Sequence, residues 1–277
     1  MTPFNWICKV GDMTYDDIWK DVEDNDYGFS ENFELCEEKE VKEDITLPVD
    51  CINLFDPVQT AYYKDNTYVQ TVLKYISDRR LNTARNKPDA LYMTLKDMFH
   101  KHRLIIPFKN TKGKIVFYQT RKVLEKDGPK YLSKILADKS ICGLDKVSNT
   151  LDTVFIFEGP IDSFFVKNGI GLAGINEGTK SLTPTQQDQL NELQFFNKIW
   201  VLDSQWLDSV ARSKSKILLD QGETVFIWPK KYGEKFKDIN ELCVYNHLDQ
   251  ISPDFIKNNS TQGKSAIIKF NMMFGKL

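Results

Sequence analysis

Acidic side chains directly follow apolar segments in the second half of the chain. Glu158 comes after the run TVFIF, Asp203 comes after KIWVL, Asp162 lies about one helical turn beyond Glu158, and Asp238 follows a later apolar segment. Gathered carboxylates repel one another unless a cation lies between them, and sites that offer only oxygen suit Mg²⁺ or Mn²⁺ rather than Zn²⁺. The four acids therefore predict a divalent-cation site. The alternative, that each acid caps a helix or lies on the surface, stays open.

Residues 101–134 form a basic block. They carry 10 Lys or Arg against 2 acidic residues, whereas residues 1–50 carry 4 Lys against 15 acidic residues, so the net charge of −2 conceals a strong division. Because Lys and Arg neutralise phosphates, a divalent cation beside a basic surface is typical of phosphoryl chemistry. Charge alone also fits a solvated surface.

Strands and helices alternate around the acids, across residues 153–228. The predicted elements are strands at 153–157, 171–175, 198–202 and 224–228, and helices at 161–167, 184–195 and 206–220. Continuous apolar strands are typical of a parallel sheet covered on both faces, and such sheets bind ligands beyond the carboxyl ends of their strands. Glu158 and Asp203 occupy those ends.

The first half of the chain predicts a mixture of helices and an antiparallel hairpin. Apolar residues at helical spacing predict a helix at 66–81, and a second helix is predicted at 89–101. Segments 104–108 and 114–119 are apolar strands separated by a turn at Gly113, so they predict a hairpin.

The composition is ordinary, with 277 residues, 41% hydrophobic and 27% charged. No apolar run approaches the roughly 20 residues that span a bilayer, and no secretory signal is evident, so we expect a cytoplasmic protein with no membrane partner. The 5 cysteines are widely spaced without a CxxC pair, which indicates reduced thiols rather than disulfides or a complete zinc site.

The residues around the first acid resemble a known fold. Residues 155–162 (FIFEGPID), followed by a strand that ends in Leu202 and Asp203, look like the TOPRIM domain shared by DnaG-type primases, topoisomerases and some nucleases. The resemblance implies a mostly parallel sheet flanked by helices and leaves the reaction open.

Further segments narrow the resemblance to DnaG-type primases, and among these to the primases of tailed phages. They are similar to four parts of these primases: the basic half of the RNA-polymerase domain, the short link that joins it to TOPRIM, the last acidic motif, and the C-terminus of tailed-phage primases. In chain order the segments are 103–108 (RLIIPF), 112–113, 118–121 (YQTR), 129–132 (PKYL), 140–145 (SICGLD), 237–240 (KDIN) and 255–263 (FIKNNSTQG). The resemblance covers about residues 66–265, and the ordered combination is more specific than any single segment.

The resemblance implies a role for each matching residue. Glu158 and Asp203 would be catalytic and would bind Mg²⁺ or Mn²⁺, and Asp162 and Asp238 would support them at the metal. The basic residues that would hold the template strand or the incoming triphosphate are Arg103, Lys112, Arg121 and Lys130, with Lys114 competing for the role of Lys112.

Two positions depart from the family's pattern. In the family a second acid usually stands two residues after the acid that matches Asp203, and this chain has Gln205 there. The neutral oxygen of Gln205 would ligate the ion with less charge. Either Asp208 or Asp238 compensates for that loss, or the enzyme is weak or inactive. Residues 5–12 (NWICKVGD) resemble the closing strand of a zinc-binding module and keep one cysteine, so no structural zinc is expected within this chain. Either a separate zinc-binding subunit supplies template recognition, or the chain is a truncated piece.

The predicted fold class is α/β, an α+β basic subdomain followed by the TOPRIM-like sheet. The predicted divisions are an acidic leader with a remnant of a zinc-binding module at 1–50, the basic subdomain of a primase core at 51–150, a TOPRIM domain at 151–245 and a C-terminal tail at 246–277.

The predicted function is that of a DNA primase core, which makes short RNA primers on single-stranded DNA for replication by metal-dependent nucleotidyl transfer from ribonucleoside triphosphates. A replicative helicase is an expected partner, and the host cytoplasm is the expected location if the source is viral. Two alternatives stay open. One is a TOPRIM-type metal-dependent nuclease, and the other is a non-catalytic subunit that binds single-stranded DNA in a replisome, which Gln205 favours.

Overall fold

Two five-stranded sheets organise the described part of the chain, which a computed structural model gives as residues 46–124, 128–134, 137–174, 179 and 182–275. The predicted acidic leader lies outside these residues except for 46–50, and so does the zinc-module resemblance at 5–12. Within the described ranges, no helix combines the length and apolar character needed to cross a membrane.

The first sheet is antiparallel, and its strands follow one another in chain order. Its members are β1 (Ile52–Asn53), β2 (Tyr92–Met93), β3 (Leu104–Lys109), β4 (Ile115–Arg121) and β5 (Tyr131–Ser133). The predicted hairpin is confirmed, because β3 pairs with β4 in antiparallel register. Its turn requires glycine at Gly113, where φ is +77°, and the Asn110 side chain accepts hydrogen bonds from the backbone amides on either side of that glycine.

Two helices precede β2, α1 (Pro57–Tyr62) and α2 (Thr67–Asp78). The helix predicted at 66–81 is confirmed as α2. The side chain of Asn66 caps its first turn, and Val69, Val72 and Ile76 bury its apolar face.

The helix predicted at 89–101 is wrong, since this segment contains β2 followed by turns. The Thr94 hydroxyl accepts hydrogen bonds from the backbone amides of Lys96 and Asp97, and the Asp97 carboxylate accepts from those of Phe99 and His100. These local side-chain bonds offer the backbone an alternative to the helical ladder.

The second sheet is mostly parallel, as predicted, with strand order β10-β9-β8-β6-β7. Its strands are β6 (Thr153–Phe157), β7 (Gly169–Gly171), β8 (Asn197–Val201), β9 (Thr224–Phe226) and β10 (Ser260–Thr261). Strand β6 is fully buried and pairs in parallel with both β7 and β8, while β10 is antiparallel to β9 at the edge.

Helices cover this sheet, and the three that the sequence predicts are each shorter than predicted. They are α3 (Pro160–Ser163), α4 (Pro184–Glu192), α5 (Ser209–Asp220), α6 (Lys230–Gly233), α7 (Ile239–Tyr245), α8 (Pro253–Asn258) and α9 (Lys264–Phe274), with a 3₁₀ turn at Leu144–Lys146. Helix α5 begins three residues later than predicted because the Asp208 side chain caps it, and Leu207 and Val210 are exposed.

The strand predicted at 171–175 is found at β7, two residues earlier, with glycine at both ends. A Cβ at Gly169 would lie 2.5 Å from the carbonyl oxygen of Ser163, and one at Gly171 would lie 2.5 Å from the Cα of Pro160. Strand β7 therefore packs against α3 at a distance that only glycine allows, which keeps α3 close to the end of β6.

One buried apolar cluster contains side chains from both sheets, including Phe108 of β3, Phe155 of β6 and Trp228. The sheets therefore share a core. A domain boundary at residue 150 stays a prediction.

Candidate active site

The four predicted carboxylates lie around one cleft of about 470 Å³ at the carboxyl ends of the parallel strands. Glu158 directly follows β6, Asp203 lies two residues after β8, Asp162 projects from α3, and Asp238 precedes α7. Asp238 is also a helix cap, because its side chain accepts a hydrogen bond of 2.7 Å from the Glu241 amide. The structure thus brings the four acids together.

Cationic side chains from several elements line the same cleft. Arg121 ends β4 and Lys130 directly precedes β5, so the pairing of these strands brings both residues to one edge of the antiparallel sheet. Arg79 follows α2, and its guanidinium donates a hydrogen bond of 2.8 Å to the Asn240 side chain. Lys237 lies 3.9 Å from the Asp203 carboxylate and 3.6 Å from that of Asp208.

Arg103, a predicted ligand contact, is 1% exposed and has a different position. Its guanidinium donates hydrogen bonds to the Thr120 hydroxyl at 3.0 Å and to the carbonyl oxygens of Pro129 and Lys130 at 2.6 and 3.3 Å. Arg103 therefore fixes the segment that carries Lys130 and does not itself face the cleft.

Lys112 and Lys114 lie on the exposed turn between β3 and β4 and do not line the cleft. The structure does not bring these two lysines together with the acids. Of the five basic residues predicted to bind nucleotide or template, Arg121 and Lys130 reach the cleft.

Gln205 is fully buried and does not reach the carboxylates either. Its amide nitrogen donates to the Ser215 hydroxyl at 2.9 Å and to the Phe226 carbonyl at 3.0 Å, and its amide oxygen accepts from the Trp228 amide at 3.1 Å. The oxygen expected at the ion is thus bonded to the backbone just after β9, and the amide nitrogen joins α5 to β9.

The carboxylates raise one another's proton affinity. Burial, followed by the negative charges of Asp238 and Glu158, raises the pKa of Asp203 to about 6. Burial and the charges of Asp238 and Asp203 raise the pKa of Asp162 well above its usual range, although the Asn240 amide donates to it at 2.9 Å. The acids therefore carry negative charge that their protein neighbours do not fully neutralise.

A divalent cation fits this charge distribution, although no preformed cage surrounds it. In the part of the chain that the structure describes, no three His, Cys, Asp or Glu side chains are arranged to hold an ion. Two cations of the protein contact the acids instead, Lys237 near Asp203 and Lys214, whose ammonium lies 2.5 Å from a carboxylate oxygen of Glu158.

Two polar atoms at the cleft have no hydrogen-bond partner among the described residues, the Tyr75 hydroxyl oxygen and Nε of Arg121. Both atoms are buried, so leaving them unpaired costs free energy. The Arg121 guanidinium stacks 4.8 Å from the ring of Tyr131, which also lines the cleft. The cleft thus presents unused polar groups beside its cations.

Sequence reasoning missed several of these residues. Tyr75 and Arg79 lie on and after a helix that the sequence shows only as amphipathic, and Lys214 resembles an ordinary charged residue of α5. Lys237 stands directly before Asp238 in the KDIN segment, and this neighbour was the one feature of the sequence that could have indicated its place at the cleft.

A sequence relative is the DNA primase of Enterobacteria phage T4, which is 32% identical over 184 residues. The match covers 64% of this chain and 49% of that protein, so it spans about half of the relative's length. No protein-family model matches the sequence.

One similar solved structure is the RNA polymerase domain of Mycobacterium tuberculosis primase DnaG, in complex with a double-stranded DNA oligomer with a 6-nucleotide overhang. The TM-score is 0.53 and the sequence identity is 17%, and the match covers 76% of this chain and 78% of that one. The Aquifex aeolicus primase, solved with its zinc-binding and RNA polymerase domains, gives a TM-score of 0.47 and 18% identity, covering 79% of this chain and 60% of that one. The chain thus has the fold of the RNA polymerase domain of primase DnaG, and a phage DNA primase is a sequence relative.

Proposed function

We propose that this chain is the catalytic core of a DNA primase, which joins ribonucleotides into short primers on single-stranded DNA. The observation that carries the proposal is the composition of the cleft, in which carboxylates from the parallel sheet face Arg121 and Lys130 from the antiparallel sheet. Such a cleft can hold a polyphosphate with its counter-ions.

The cations would hold the phosphates of the incoming nucleotide. Arg121 has an unpaired Nε, and partial burial together with the charge of Arg121 lowers the pKa of Lys130, so a negative ligand would relieve both effects. The Tyr75 hydroxyl would donate to the same ligand. Contacts of this kind recognise phosphate rather than base, and therefore carry little sequence information.

Asp203, Asp162, Asp238 and Glu158 would hold Mg²⁺ or Mn²⁺. A divalent ion at this position supplies positive charge that stabilises the charge developing on the triphosphate. In the reaction, the 3′-hydroxyl of the primer attacks the α-phosphate of a ribonucleoside triphosphate, the hydroxyl proton is lost to solvent or a base, and pyrophosphate leaves. The carboxylates orient the reacting groups, and Arg121 and Lys130 hold the phosphates in line.

The test is incorporation of labelled ribonucleotides on mixed-sequence single-stranded DNA with Mg²⁺ or Mn²⁺, comparing the wild type with Glu158→Gln. We expect a ladder of short RNAs that disappears in the variant. Glu192→Gln, at the exposed end of α4, is the matched control and should retain the ladder.

Other results would favour the two alternatives. Cleavage of DNA without triphosphates would favour a metal-dependent nuclease. Binding of single-stranded DNA without any product, even with Mn²⁺ and a pre-annealed primer that bypasses initiation, would favour a non-catalytic subunit. A replicative helicase and a separate zinc-binding subunit remain predicted partners.

A further inference from the structure

A lysine of the protein contacts the carboxylate that directly follows β6. Lys214 lies on α5, is 9% exposed, and places its ammonium 2.5 Å from Oε1 of Glu158. Burying a lysine is costly unless its charge is paired, so this contact accounts for the position of Lys214.

Two residues of this chain change the charge, in the same direction, relative to the site that the resemblance to primases implies. The resemblance to primases places a second acid at position 205, but Gln205 is neutral and its amide is bonded to Ser215 of α5 and to the backbone around β9. The residue before Ser215 is Lys214, which adds a cation. Compared with an all-acid site, one anion is absent and one cation is present.

We propose that Lys214 is a positioning residue that holds the Glu158 carboxylate and acts as a built-in counter-ion, so that the cleft binds a divalent cation more weakly before nucleotide arrives. This inference rests on the proposed function for the meaning of the site. Its first measurement needs neither nucleotide nor template.

The cations around the cleft agree with this inference. Lys237 lies within 4 Å of two carboxylates, and Arg79, Arg121 and Lys130 line the same space. The four lining acids are therefore matched by four lining cations before Lys214 is included. A free metal ion therefore meets carboxylates that are already partly offset, whereas a metal ion that arrives with a triphosphate brings phosphates that the lining cations can hold.

The test is a titration of the full chain with Mn²⁺ alone, with free ion measured by electron paramagnetic resonance. Lys214→Met keeps most of the apolar stem and removes the charge, and Lys214→Gln is a second neutral variant in case the first does not fold. Both should bind Mn²⁺ roughly tenfold more tightly than the wild type, because Glu158 loses its internal counter-ion.

Two controls make the result specific. Lys216→Met removes a lysine from the same helix and should leave the affinity unchanged, since among the described residues it is Lys214, and not Lys216, that pairs with Glu158. The double variant Glu158→Gln/Lys214→Met should lose the gain, because the gain depends on the released carboxylate. Unchanged or weaker Mn²⁺ binding in both Lys214 variants, including no detectable binding in any form, would overturn the proposal.

Primer synthesis is a separate measurement. If Lys214 positions Glu158, Lys214→Met should bind Mn²⁺ more tightly yet lower kcat at saturating metal, a combination that simple loss of structure does not produce. If the wild type makes no primers while Mn²⁺ binding still tightens in the variant, the proposed function fails and the role of Lys214 as a counter-ion stands. If primers form and the Mn²⁺ affinity does not change in the variant, the proposed function stands and the role of Lys214 as a counter-ion fails.

Discussion

The parallel and antiparallel sheets hold their halves of the cleft by different means. On the parallel side, Glu158 follows directly after β6 and Asp203 lies two residues after β8, so the strand backbone places them. On the antiparallel side, Arg121 and Lys130 come from β4 and from the segment before β5, and this segment is held by hydrogen bonds from the buried side chain of Arg103.

The acids of the cleft and the buried polar residues contribute to stability with opposite signs. Burial, followed by repulsion among the acids, raises the pKa of Asp203 and of Asp162 and costs stability until a cation arrives. The buried hydrogen bonds of Arg103 and Gln205 stabilise the fold and leave these side chains unavailable to a ligand. Replacing Asp203 should thus remove activity without unfolding the protein, whereas replacing Arg103 or Gln205 should destabilise it.

The largest effect is expected from Asp203→Asn, which should lower the rate of primer synthesis about a thousandfold, because the charge that would hold the metal is lost. The fold should survive, since a neutral side chain removes repulsion at this position. Initial rates of ribonucleotide incorporation measure the effect, with Asp188→Asn on the exposed face of α4 as the control. Synthesis at the wild-type rate by Asp203→Asn would exclude this carboxylate from the reaction.

Gln205→Glu tests the opposite kind of residue, because it restores an acid at the position where the family usually has one. We expect it to lose about 3 kcal/mol of stability, since a buried carboxylate cannot donate to Ser215 or to the Phe226 carbonyl. Urea unfolding measures the loss, and Gln70→Glu on the exposed face of α2 is the control. A stable Gln205→Glu protein that binds Mn²⁺ more tightly would show that this side chain can reach the ion.

The acidic half of the site could be predicted from the sequence because its signal is local. An apolar run followed by an acid marks a strand end, and parallel strands end at the same edge of a sheet. Glu158 and Asp203 were placed on that basis, and the four predicted acids line one cleft.

The basic half could not be predicted in the same way, because a cation's role depends on tertiary packing. Arg103 and Lys112 both lie in the basic block, yet one is buried under the segment before β5 and the other is on an exposed turn. Gln205 is buried by contacts with α5 and β9, and Lys214 carries no signal beyond its helix. Local turn chemistry at Thr94 and Asp97 likewise overrode the helical pattern at 89–101.

A pH dependence sharpens the contrast in stability. Since the pKa of Asp203 is raised to about 6, the folded protein binds the carboxyl proton more tightly than the unfolded chain does. Protonation of Asp203 therefore stabilises the fold fully below the pKa of the unfolded chain, and this stabilisation is lost as pH rises through about 6. Metal-free wild type should therefore be about as stable as Asp203→Asn at pH 4 and less stable by about 1 kcal/mol at pH 7.5. Urea unfolding at both pH values measures the difference, which Mg²⁺ should reduce. A difference that is the same at both pH values would contradict the raised pKa.

The smallest effect compares two lysines of the basic block. Lys130→Met should raise KM for ribonucleoside triphosphates about threefold, because the Lys130 side chain is only partly buried and solvent weakens its interaction with phosphate, while Lys112→Met should leave KM unchanged. Raising the salt concentration should weaken nucleotide binding by the wild type more than by Lys130→Met, since the variant has lost one phosphate contact. An equal change in KM for both variants would mean that the exposed turn between β3 and β4 also reaches the nucleotide, and that the basic half of the site extends beyond the cleft.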